Sequence, residues 1–132
     1  MNIFDIYIAY VSWGGAVNEV GSDKKRLVLI LEQIADRVTV FNITSRYDCK
    51  SEIIRSKYFK INDWHQAGLN QQSYIDTNNT VILPLSSINV THPVGTLTVS
   101  DVQKFIEFMR NKQWTTIVQA DFHEAIGEGA VR

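Results

Sequence analysis

The sequence predicts a mainly β domain with one late α-helix: a small, strongly bent sheet or partly open β-barrel with the helix packed on it. Three observations carry that expectation. Short apolar stretches rich in β-branched and aromatic residues alternate with turn-rich segments from residue 3 to residue 85. Residues 24–45, running from Lys24-Lys25-Arg26 to Thr44-Ser45, read as two strands joined by a short turn. Only Val102 to Asn111 carries the spacing of a helix longer than a turn.

Taken in order, residues 3–12, Ile-Phe-Asp-Ile-Tyr-Ile-Ala-Tyr-Val-Ser, form the first strand. The apolar run to Ala16 has the hydropathy of a signal peptide, yet it holds no Lys or Arg and carries Asp5, so it reads as a strand. Trp13-Gly14-Gly15 stops it. The stretch to Asp23 holds Asn18, Gly21 and Ser22 and reads as a mobile loop, a lid over the hairpin that follows. Its glycines lack the G-x-x-x-x-G-K pattern of a phosphate cradle.

In that hairpin Leu27 to Leu31 is an unbroken apolar run, and Val38 to Thr44 alternates apolar with polar residues. It is expected to cross the middle of the sheet. Antiparallel pairing then brings the Arg26 end of one strand to the Thr44 end of the other. A cation meets two hydroxyls there, Thr44 and Ser45, a place suited to chemistry on a phosphate.

Arg46 to Glu52 reads as an exposed turn, and Ser56 to Ile61 as a strand bearing Lys57 and Lys60. Asn62-Asp63 caps a helical turn over Trp64 to Ala67, with Gly68 as its stop. Leu69 to Asp76 and Val81 to Leu85 read as two further strands around Asn78-Asn79, and Pro84 puts the second at an edge or bulge. His92-Pro93 and Gly95 make a loop. Ser100-Asp101 caps Val102 to Asn111, where Val102, Phe105, Ile106 and Met109 recur at helical spacing. Beyond Gln113 the sequence allows a strand over Trp114 to Val118, a helical turn over Ala120 to Ile126 and a frayed tail.

The 132 residues are 45% hydrophobic and 20% charged, enough for one globular domain with its own core, and residues 1–132 are read as one unit. A single cysteine, Cys49, excludes an internal disulfide and fits a reducing, cytoplasmic compartment. His65, His92 and His123 have no second His or Cys at ligand spacing, so no metal site is expected. No apolar run reaches the roughly 18 residues of a membrane span. The net charge of −1 is unevenly spread: residues 22–60 carry a local +4 and the remainder a local −5. A phosphate-bearing ligand would be drawn to one face.

Asp5-Ile6-Tyr7, Lys25-Arg26 before Val28-Leu29-Ile30, and Asn42-Ile43-Thr44-Ser45 resemble the MazF/PemK toxins of bacterial toxin–antitoxin pairs. Ser56-Lys57-Tyr58-Phe59-Lys60, Ala67-Gly68-Leu69, Ser73-Tyr74-Ile75-Asp76 and Leu83-Pro84-Leu85 resemble a PemK-like branch of Gram-positive bacteria. The resemblance runs over residues 4–110, is firmest in 24–45, and leaves 112–132 unassigned. It implies an SH3-like barrel of MazF/CcdB type, a homodimer, an antitoxin partner and a ribosome-independent endoribonuclease that cuts single-stranded RNA without metal or cofactor. The catalytic pair of that family, a strand-opening arginine and a strand-closing threonine, maps onto Arg26 and Thr44. Where the family usually has Arg-Pro, this chain has Arg26-Leu27.

The residues themselves fit such chemistry. RNA carries its own nucleophile, the 2′-hydroxyl, so the enzyme has only to orient it and manage charge and protons. The planar fork of Arg26 suits a phosphate that grows more negative in the transition state. Strand alternation lets only one of Thr44 and Ser45 face the chemistry, and the resemblance favours Thr44. Lys24, Lys25, Arg46 and Lys57 are candidates to track the RNA backbone, with Ser45 beside them, and Trp13 or Tyr47 to stack a base. His65 and His92 are the histidine candidates for a general base. The competing reading is a non-catalytic binding module of the same fold, binding RNA or inhibiting a protein in the manner of gyrase-directed toxins.

Overall fold

The computed structural model describes residues 1–11 and 24–111. Six strands form one antiparallel sheet: β1 (Asp5–Val11), β2 (Lys24–Ile34), β3 (Arg37–Thr44), β4 (Tyr58–Lys60), β5 (Tyr74–Pro84) and β6 (Gly95–Thr96), in the order β4-β5-β3-β2-β1-β6. The β2–β3 hairpin lies at its centre, as the sequence led us to expect. Its turn is Ala35-Asp36, with Ala35 in the left-handed region at φ 54°. Two α-helices, the single turn α1 (Glu52–Arg55) and α2 (Val99–Asn111), and a 3-10 turn at Leu85–Ser87 complete the described chain. Among the described residues no helix is long and apolar enough to cross a membrane.

The ladder slips between Ile30 and Glu32 on β2 and between Val40 and Asn42 on β3. Such bulges bend strands, and the bend gives both faces of the sheet a core. Ile6, Leu29, Phe41, Ile43, Phe59 and Ile75 face α2 and surround Phe105. Tyr7, Ala9, Val28, Ile30, Val38, Val40, Val81 and Leu83 fill the opposite concavity.

The sheet is not closed, but its two ends touch. Gly68, in the segment after β4, has φ 94°, and a Cβ there would lie 2.2 Å from the Val94 carbonyl oxygen. A Cβ on Gly95 in β6 would lie 2.0 Å from the Ala67 carbonyl oxygen. Only a pair of glycines allows backbones so close. Asp101 of α2 fastens the same seam, its carboxylate accepting from the Asn62 and Asp63 N–H groups at 3.2 and 2.8 Å.

Several boundaries differ from the sequence expectation. The two strands read around Asn78-Asn79 are one strand, β5. Residues 77–80 there oppose Phe41 alone, between the pairs Asn42–Asp76 and Val40–Val81. The Asn pair therefore makes a bulge rather than a turn, and the Asn78 side chain donates to Asp76 at 2.7 Å. Pro84 lies on a local edge, since β4 pairs only with residues 74–76. Gly95, read as loop, joins Thr96 in pairing with Ile6 and Asp5. Helix α2 starts before Ser100, because the Thr98 hydroxyl accepts from the Asp101 N–H at 3.2 Å. The α1 turn, of which the sequence reading covers only Glu52, as the end of an exposed turn, is capped by Ser51. The loop read over 13–23 and the elements read beyond Gln113 lie outside the described residues.

Candidate active site at the open end of the central hairpin

The strand register assembles this site. Leu27 pairs with Ile43 as the last pair of the β2–β3 ladder at this end, and Arg26 and Thr44 are the next residues outward on the two strands. Thr44 in turn pairs with Tyr74, Tyr74 with Lys60, and Arg26 with Ala9. Directly opposed residues share a face, with Cβ atoms about 5 Å apart. Ala9, Arg26, Thr44, Tyr74 and Lys60 therefore form one row across five strands.

A groove of about 260 Å³ opens beside that row, lined by Lys25, Arg26, Leu27, Ile43, Thr44, Ser45, Arg46, Asn70, Gln71 and Ser73. By alternation Lys25, Leu27, Ile43, Ser45 and Ser73 belong to the face opposite Arg26 and Thr44. The groove thus wraps over the strand ends, with Arg26 and Thr44 on its rim. Lys25, Arg26, Ser45 and Arg46 are exposed, and Thr44 is half-buried. Three cations, Lys25, Arg26 and Arg46, and three hydroxyls, Thr44, Ser45 and Ser73, converge on one opening.

Thr44 is set for a defined role. Its Oγ1 accepts from the Arg46 N–H at 3.0 Å, which fixes the rotamer. A hydroxyl that accepts in this way can still donate its own proton. The Arg26-Leu27 departure is accommodated inside a continuous ladder, Leu27 pairing with Ile8 and Ile43.

A tyrosine cluster flanks the row. Tyr47, reached after β3 ends, stacks on Tyr74 with centroids 4.3 Å apart and planes at 14°. Tyr58 stands 6.1 and 6.4 Å from the two rings. The Arg55 guanidinium lies over Tyr47, 5.4 Å from its centroid. The Tyr58 hydroxyl is held above the ordinary tyrosine range by burial first, then by the Asp76 carboxylate and Cys49.

The described structure thus brings together Arg26, Thr44, Lys25, Ser45 and Arg46. Lys24 opens β2, but its side chain lies outside the described residues, as does Trp13. Lys57 precedes β4 and is not among the groove residues; its carbonyl accepts from the Thr77 N–H and hydroxyl at 2.9 and 2.6 Å. His65 packs edge-on against Trp64, and His92 sits 2.9 Å from the Thr91 hydroxyl, neither of them lining the groove. Asn70, Gln71, Ser73, Tyr74 and Lys60 were not singled out from sequence. No spacing rule joins the 70–73 loop to the hairpin, whereas the alternation of β4 around Lys60 was a usable signal.

The fold has a known counterpart. The chain matches the Mycobacterium tuberculosis toxin MazF-mt6 with a TM-score of 0.59 and 24% identity, over 83% of this chain and 99% of that one. The fold is that of a MazF-type toxin. No family model matches the sequence, and no curated protein matches it. The MazF-type fold is thus established here through backbone geometry, and the hairpin carrying Arg26 and Thr44 forms its centre.

Proposed function

We propose that this chain is a ribosome-independent endoribonuclease toxin that cleaves single-stranded RNA at defined sequences. The observation that carries the reading is that Arg26 and Thr44, each one residue beyond the last pair of the central hairpin, line the same basic groove in a MazF-type fold. In this reading the scissile phosphate rests between the two side chains. The Arg26 fork binds its non-bridging oxygens and gains strength as charge develops on them. Thr44, oriented by the Arg46 N–H, donates to the phosphate and helps hold the 2′-hydroxyl in line. Attack of that hydroxyl on phosphorus expels the 5′-oxygen and leaves a 2′,3′-cyclic phosphate. The nucleophile comes from the substrate, so no metal or cofactor is needed. Lys25, Ser45 and Arg46 hold the flanking backbone.

The same reading makes the protein a cytoplasmic homodimer, held inactive by an antitoxin whose disordered segment occupies the groove. The test is incubation with a long single-stranded RNA in EDTA, followed by mapping of the new ends, with Arg26→Ala and Thr44→Ala run in parallel. Discrete cuts bearing cyclic phosphates, lost in both folded variants, are expected. Intact RNA with the wild-type protein, or cuts unchanged in Arg26→Ala, would overturn the assignment.

A further inference from the structure

We infer that Tyr47, Tyr74 and Arg55 form a nucleotide subsite adjoining the Arg26–Thr44 pair, Tyr47 receiving the base and Arg55 the phosphate of the same nucleotide. The inference rests on the ribonuclease reading and specifies how the substrate is held beside the scissile bond. Its first support is position. Tyr74 is the direct cross-strand neighbour of Thr44, so a ring stacked on Tyr74 stands next to the reacting groups.

The second support is that this cluster belongs to neither apolar core. None of the three tyrosines is among the residues of the two clusters on the sheet faces, and Tyr47 and Tyr74 keep part of their surface in solvent. Large planar side chains stacked in parallel and left part-exposed beside a basic groove offer the π-faces that unpaired bases use.

The third is the state of the outer face of Tyr47. Tyr74 covers one side, and the Arg55 guanidinium lies on the ring at 5.4 Å, near the outer limit of a cation–π contact. A guanidinium so placed is readily displaced from the ring. An incoming nucleotide satisfies both groups at once, its base taking the ring face and its phosphate the guanidinium fork. Helix α1, which carries Arg55, ends with Ser56 anchored by its N–H to the Glu52 carbonyl, so the guanidinium turns on a fixed stem.

The experiment uses a 2′-O-methyl single-stranded oligonucleotide containing the mapped cleavage sequence, which the protein binds without cutting. Binding is followed by fluorescence anisotropy while single abasic positions are scanned through the oligonucleotide. For the wild-type protein, removal of one base next to the scissile position is expected to weaken binding about tenfold. In Tyr47→Leu the intact oligonucleotide should bind about tenfold more weakly, with no further loss at that abasic position. Tyr47→Phe should restore the wild-type pattern, and Arg55→Ala should weaken binding of intact and abasic oligonucleotides alike. Equal abasic losses in wild-type and Tyr47→Leu, with thermal midpoints matched, would overturn the subsite while leaving the ribonuclease standing. Absence of RNA binding by the wild-type protein would overturn both.

Discussion

Thr44 shows how much one side chain depends on its neighbours. Its hydroxyl is oriented by a backbone N–H two residues on, so what a substitution removes is a donor already aimed. Loss of a single preorganised donor typically lowers turnover by about 10²–10³-fold. Thr44→Val should therefore lower single-turnover cleavage by about 10²-fold, while Thr44→Ser stays within about tenfold. A second residue-level expectation concerns Tyr58. Because burial, Asp76 and Cys49 raise its pKa in the folded state, the native form keeps the phenol protonated when the unfolded chain has begun to lose it. That contribution to stability is complete below the ordinary value of 10.0 and is lost as pH rises through the higher folded value. Denaturant midpoints should fall as pH rises from 10.0 through the folded value, and more shallowly in Tyr58→Phe. At this scale Arg26 and Thr44 were legible because a hairpin pairs its own ends. Tyr74 was not, since its register depends on a three-residue excess in β5, residues 77–80 against Phe41 alone, that no local pattern announces.

The elements themselves were mostly legible where periodicity was strong. The central hairpin and α2 followed from apolar spacing, with ends displaced by a few residues. At α2 the sequence points to Ser100-Asp101 as the cap, whereas the fold caps the helix with Thr98 and turns Asp101 to the 62–63 backbone. Gly68 was read as a helix stop, and its positive φ agrees. Its second duty, letting the 67–68 backbone meet residues 94–95, is a tertiary fact invisible to local reading. Gly68→Ala would place a methyl group 2.2 Å from a carbonyl oxygen in a left-handed conformation. Backbone strain alone costs about 1–2 kcal/mol, and the clash adds to it. Urea denaturation should show a loss larger than that range, with the seam between the sheet's two ends loosened first in hydrogen exchange.

For the whole molecule, charge partition was readable from sequence, and the fold gathers part of the basic segment, Lys25, Arg26 and Arg46, at one opening. Three phosphate contacts on a single strand imply a slope of about −2 in a plot of log affinity against log salt. Titrations of an uncleavable oligonucleotide at several salt concentrations should give that slope, reduced by about 0.7 for each cation removed. Overall closure was only partly legible, because bulges and a glycine contact bend the sheet, and neither carries a periodic signature. The way β6 meets β1 has a further consequence, in the order in which the molecule comes into being. The Thr96 hydroxyl donates to the Phe4 carbonyl across 92 residues of sequence, and the ring of Phe105 packs against Phe4, Phe41 and Phe59. At about 5–20 residues per second of synthesis, the first strand waits roughly 5–18 s for its last partners to be made. A nascent chain can close its central hairpin early, yet it cannot complete its framework until residues 96–105 have been made. The strands that carry Arg26 and Thr44 are thus synthesised well before the residues that complete their support.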